Sequence, residues 1–206
     1  MAQLFDTHLH TRRHSGCSQI DEWQLIPAAV KAGLDGIVIT EHHYQWTEAE
    51  LQELVEAAEA PGFVVLAGFE YTARQGDILV YGLPPDVAES IEPYGDAVEV
   101  LDRFHAAGAF CVAAHPTRAG MGFDETIAVM PFDALEVKSV NLQPHEQRLA
   151  ANLAAALEKP ATMASDAHQL HDVGAYGMTF EDPVRGARDL QQALKRGRFR
   201  VAGRLR

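Results

Sequence analysis

The chain has 206 residues, enough to bury one substantial core, and 47% of them are apolar. With 17 Lys and Arg against 29 Asp and Glu, its formal charge of −12 argues against broad binding to nucleic acid or an anionic membrane. A small anionic substrate stays open, because bound divalent cations reverse the local potential.

Leu4–His8 reads as a strand and Asp21–Lys31 as a helix, with Gly33 as its C-terminal cap. Gly36–Thr40 is the next strand. Thr47-Glu48-Ala49-Glu50 is a capping box opening a helix to Glu59. Phe63–Ala67 and Ile78–Tyr81 are strands joined by a stretch too short for a helix, so a hairpin interrupts the alternation there. Asp96–Ala107 is helical and stops at Gly108. Phe110–Ala114 and Ala134–Val137 are strands, Pro144–Glu158 is a helix ending before Pro160, Ala161–Ala164 is a strand, and Ala187–Arg196 is the last helix. Alternating strands and helices predict an α/β fold with a mainly parallel sheet of about seven strands. The expectation is a single domain over residues 1–206, closed into a small irregular barrel. An open doubly wound sheet is the alternative, but no GxGxxG follows the first strand.

Cys17 and Cys111 form no CxxC pair, and Cys111 inside an apolar strand reads as a buried thiol. The N-terminus enters a strand directly, without a basic and apolar leader. No apolar stretch approaches the roughly 18 residues of a membrane span. A cytoplasmic setting without a membrane partner is the expectation.

The chemistry sits at strand ends. Asp6-Thr7-His8-Leu9-His10, Thr40-Glu41-His42-His43, Glu70, Ala114-His115-Pro116 and Ser165-Asp166-Ala167-His168 each follow an apolar run. In a barrel of parallel strands these ends converge on one face. Residues two apart on a strand face the same way, so His8 with His10, and Asp166 with His168, point to one centre. Imidazole suits Zn, Fe or Mn, and carboxylates suit harder divalent ions. A carboxylate such as Glu70 can bridge two ions about 3.5–4 Å apart. With no thiolate required, the set points to a catalytic site. Arg118, just past Ala-His-Pro-Thr, is in reach of a bound phosphate, and Arg12 and Arg13 follow the first motif.

As an ordered set from residue 6 to 168, these motifs resemble the PHP (polymerase and histidinol phosphatase) superfamily. The resemblance implies a distorted (β/α)7, TIM-like barrel and two to three divalent ions (Zn, Mn or Fe). It further implies hydrolysis of phosphate esters by a metal-activated hydroxide. Carried over residue by residue, it implies that His8, His10, Glu70 and Asp166 hold one ion. Glu70 and His115 hold a second, and His42 and His168 a third. Two departures leave questions open. Asp77 stands where many relatives have His, and His14 lies one residue from a position that supports the third ion. His168 or His43 is the expected proton donor to the leaving group, with Arg118 on the phosphate. The expected activity is a phosphatase for a small phosphorylated substrate, a phosphomonoester. The competing readings are a phosphodiesterase or nuclease, an amidohydrolase-like hydrolase, and a non-enzymatic metal-bound regulatory domain.

Overall fold

Residues 2–204 are described by the structure, a computed structural model. In chain order its main elements are β1 (Gln3–Asp6), α1 (Glu22–Lys31), β2 (Gly36–Ile39), α2 (Glu48–Ala57), β3 (Val64–Ala67), β4 (Phe69–Thr72), β5 (Asp77–Tyr81), α3 (Pro85–Glu89), α4 (Ala97–Ala106), β6 (Phe110–Ala113), β7 (Ala134–Lys138), α5 (Pro144–Ala156), β8 (Ala161–Met163), β9 (Tyr176–Phe180), α6 (Ala187–Lys195) and β10 (Phe199–Arg204). The expected strands and long helices all form. Asp21 and Asp96 cap α1 and α4 through their side chains, and Thr47 with Glu50 builds the capping box of α2.

The closed (β/α)7 barrel does not form. The strands make two mixed sheets of five, in the orders β10-β9-β1-β2-β3 and β4-β5-β6-β7-β8. Three features cause the difference. Gly68 separates β3 from β4, and a Cβ there would lie 2.7 Å from the Thr40 methyl. A side chain would block this tight passage from one sheet to the other. The turn after β4 closes through Ala73 N–H to Gly76 O, so β5 pairs antiparallel on both its sides. A parallel crossover needs a dozen or more residues, which this turn lacks. Lastly, β9 returns antiparallel along β1 and takes β10 on its outer edge, so the side of β1 away from β2 carries an antiparallel hairpin rather than a second parallel strand.

The two sheets face each other across shared apolar side chains. Phe5, Val38, Leu66 and Met178 from one meet Leu79, Phe110 and Val112 from the other. Helix α4 covers the second sheet through Leu101 and Phe104, and α1 and α2 cover the first through Leu25, Ile26, Leu51 and Leu54. Among the described residues, isolated bridges at Leu9–Ala167 and His42–Glu70 link the sheets, the first just past the ends of β1 and β8 and the second between the residues after β2 and the start of β4. Asp6 reinforces that end: it accepts N–H bonds from Ser165 (2.9 Å) and Gly174 (2.9 Å). Burial pushes its carboxyl up to about 6 against these bonds. No helix among the described residues is long and apolar enough to cross a membrane.

Glu50 offers a direct check on local stability. It accepts from Thr47 N–H (2.9 Å), the Thr47 hydroxyl (2.8 Å) and the Tyr44 hydroxyl (2.9 Å). Partial burial works against its charge, but these bonds outweigh it and hold the carboxyl at about 2. Glu50→Ala should cost about 1–2 kcal/mol in urea unfolding at neutral pH. Because the folded value lies below the ordinary 4.5, this stabilisation is complete above that pH and lost as pH falls toward about 2. The gap between wild type and variant should close over that window; a gap independent of pH would remove Glu50 as the source.

Candidate metal centre

Glu70, near the start of β4, is the hub. Its Oε2 lies 3.0 Å from His10 Nε2, 3.2 Å from His8 Nε2 and 3.5 Å from His42 Nδ1. Its Oε1 lies 3.5 Å from His115 Nε2. Asp166 Oδ1 stands 3.3 Å from His8 Nε2 and 3.5 Å from His10 Nε2. The ring of His42 stacks on that of His10 at 4.7 Å, and His168 tilts against His10 at 4.6 Å. All seven residues expected to bind metal therefore meet in one place.

The backbone that brings them together is partly strained. His8 and His10 extend past β1, aligned by the bond from Asp166 N–H to His8 O and the one from His10 N–H to Ala167 O. Asp166 reaches the centre from a left-handed backbone (φ 54°) rather than by strand alternation, and His115 does the same (φ 30°). Such conformations cost about 1–3 kcal/mol each and persist where the surroundings over-determine them.

The electrostatics explain what holds the cluster and what it lacks. Burial disfavours charge on His8, but Asp166, Glu136 and Glu70 outweigh it and push its pKa well above the usual range. His10, buried likewise, is carried to about 9 by its bonds to Asp166 and Glu70. The same contacts turn the sign for the acids. Against burial, His42, His8 and His10 hold Glu70 well below the usual range, and His8 and His10 do so for Asp166. Protons on imidazoles thus fill the role a cation would take.

The residues present fit divalent ions. Four atoms around the hub (His42 Nδ1, Glu70 Oε1, Asp77 Oδ1 and His115 Nδ1) are buried without a hydrogen-bond partner. Ligand atoms lie within 4.8 Å of one another in three overlapping groups: His8, His10 and Asp166; His42, Glu70 and Asp77; and His10, His42 and His168. Asp77 belongs to the second group, with its Oδ2 3.7 Å from His115 Nε2. His14 belongs to none. Its Nε2 lies 3.2 Å from Glu50 Oε1, and its ring stacks on Tyr44.

Other expected residues separate by position. Arg118 lines a cleft of about 300 Å³ together with Cys17, Glu70, His115, Asn141 and Asp166. The Arg118 loop is fixed to the start of α5, where Ala119 N–H donates to Glu146 Oε1 (2.8 Å). Arg12 pairs with Asp21, and Arg13 pairs with Glu50 and lies over Trp46. His43 is not among the cleft-lining residues. Its ring packs against Phe69, Tyr71 and Tyr94 beside a separate cavity of about 470 Å³. Burial, then the neighbouring His42, lower its pKa, which works against a role as proton donor. His105 pairs with Asp133, and His171 is exposed.

Sequence reasoning assigned no role to three supporting groups. Glu41 accepts from the Thr11 N–H (3.1 Å) and Trp46 Nε1 (3.0 Å), fixing the loop after the first motif. Asn141 Nδ2 donates to Asp166 Oδ2 (2.8 Å). Glu136 lies fully buried behind His8.

Comparison with known proteins bears on the fold that carries these residues. Residues 144–199 match the family model described as PHP-associated. No curated protein matches the chain. The chain is similar in structure to a proposed metal-dependent phosphoesterase from Bifidobacterium adolescentis, at TM-score 0.64 and 18% identity over 93% of this chain and 96% of that one. A two-domain protein from Bacteroides vulgatus with a PHP-like metal-dependent phosphoesterase aligns at TM-score 0.72 and 16% identity, over 99% of this chain and 65% of that one. An amidohydrolase from Chromobacterium violaceum, holding sulfate and no metal, aligns at 0.66 and 16%, over 96% of this chain and 97% of that one. At such identities the likeness establishes the fold.

Zn²⁺ or Mn²⁺ should stabilise the protein, by about 2.7 kcal/mol at a hundredfold excess over Kd. Glu70→Gln keeps the shape and removes the hub's charge. It should sharply reduce both the metal retained after desalting and the rise in Tm. Equal retention would show that Glu70 holds no ion.

Proposed function

We propose that this chain is a metal-dependent phosphoesterase of the PHP superfamily whose substrate is a small phosphomonoester. The observation that carries this reading is the convergence of His8 Nε2, His10 Nε2 and His115 Nε2 on Glu70 and of Asp166 Oδ1 on the same histidines, with Glu70, His115 and Asp166 lining one cleft with Arg118. His8, His10, Glu70 and Asp166 would hold one ion, with Glu70 shared toward His115 and Asp77. His42 and His168 would complete a third position beside His10. Divalent ions there supply Lewis-acid charge to a phosphoryl oxygen and make water a stronger acid.

The chain's own groups do the rest. The Arg118 guanidinium pairs with phosphate oxygens and balances charge that grows on them during transfer. The cleft volume of about 300 Å³ lies at the lower end of small-molecule sites. Together with the charge of −12, this favours a small phosphomonoester over long nucleic acid. His168 donates Nδ1–H to the Asp166 carbonyl (3.0 Å). Burial, then the neighbouring His10, lower its pKa, and with Nδ1–H given to that carbonyl, Nε2 is the atom left to serve as a ligand.

The test is a panel of a phosphomonoester (p-nitrophenyl phosphate), a diester (bis-p-nitrophenyl phosphate) and a p-nitroanilide, each assayed with Mn²⁺ and with Zn²⁺. Monoester hydrolysis should dominate, vanish on chelation and return with the ion. Arg118→Ala should lower kcat/KM by about 100-fold without loss of bound metal. Turnover of the anilide alone, or full activity in verified metal-free protein, would overturn the proposal.

A further inference from the structure

Glu136 occupies a position that neither ligation nor substrate contact explains. It sits in mid-strand on β7 with 0% exposure. Burying a carboxylate costs several kcal/mol unless its oxygens are well paired. Both are paired, and both partners belong to the metal centre. Oε1 accepts His8 Nδ1–H at 2.9 Å, and Oε2 accepts the backbone N–H of His115 at 3.0 Å.

The two bonds have different consequences. A carboxylate only accepts, so the His8 proton is fixed on Nδ1, and Nε2 faces Glu70 Oε2 at 3.2 Å. The His115 backbone is held at φ 30° with its N–H anchored, and its Nε2 then faces Glu70 Oε1 at 3.5 Å. His8 follows a strand of the first sheet and His115 a strand of the second. One side chain therefore sets the ring of a ligand from one sheet and the backbone of a ligand from the other.

We propose that Glu136 is a positioning residue that couples two metal-binding positions, presenting His8 to one ion and His115 to the other across the join between the sheets. This rests on the metal-centre reading above. It predicts that losing one carboxylate weakens both positions together, although Glu136 itself binds no ion.

Glu136→Gln is the discriminating variant. Its amide has one acceptor and one donor, so one of the two N–H groups must face another donor. Calorimetric titration of Mn²⁺ into metal-free protein should show both positions weakened by about 10- to 100-fold. In the Zn²⁺-loaded protein the His8 ¹⁵N shifts should show an Nε2-bound, Nδ1–H imidazole in the wild type and less of that form in the variant. Urea unfolding of the metal-free forms separates this from a structural role: that role would lower metal-free stability and leave Mn²⁺ affinity unchanged, overturning the proposal. Weakening of one position alone would overturn the coupling. If the Gln variant does not fold, Glu136→Asp, too short to reach both donors, must show the same paired loss. A wild type that binds no divalent ion would instead overturn the metal-centre reading and this proposal with it.

Discussion

Glu70 lies within 3.5 Å of nitrogens from four histidines, all drawn from different segments of the chain except His8 and His10. A buried carboxylate among neutral imidazoles would be a large desolvation cost with little return. The protein answers with charge: His8 and His10 are held protonated by the acids around them, and those acids are held ionised in turn. This arrangement is stable while every member is present. It is also poised for exchange, because a divalent cation placed among the same atoms replaces the protons and satisfies the remaining lone pairs. The unpartnered atoms of His42, Glu70, Asp77 and His115 mark where the protons alone fall short.

The fold serves that requirement from both sheets. Parallel strands β1, β2 and β6 deliver histidines from their C-terminal ends, while the β4–β5 hairpin supplies Glu70 and Asp77. Delivering carboxylates from a hairpin breaks the β/α alternation, and with it the closed ring. What would be a barrel seam is instead bridged at Leu9–Ala167 and His42–Glu70, beside the ligands themselves. Metal binding and the union of the two sheets therefore depend on the same few residues.

Much of the site was legible because metal chemistry restricts residue type and strand ends restrict place. His-x-His after the first strand, Glu70 after the third and Asp-x-His after the last apolar run all lie within the cluster. The parts that escaped have physical reasons. Glu136 and Lys138 alternate along β7 as a polar face does, so a buried acid there looks like a solvated one. Strands β9 and β10 contain Gly177, Thr179, Arg200 and Gly203, which dilute the apolar signal. His43 follows His42 directly, yet its left-handed backbone (φ 56°) places the ring beside another cavity. The split into two open sheets depends on Gly68 and on antiparallel returns, features that local periodicity does not encode.

The most direct test of the metal centre is anomalous diffraction from crystals grown with Mn²⁺ or Zn²⁺. The account predicts peaks beside Glu70, one bounded by His8, His10 and Asp166 and a second toward His115 and Asp77, with the protonated contacts among these side chains replaced. Crystals without an anomalous peak at Glu70, in which His8 and His10 still contact Glu70 directly at saturating metal, would contradict it.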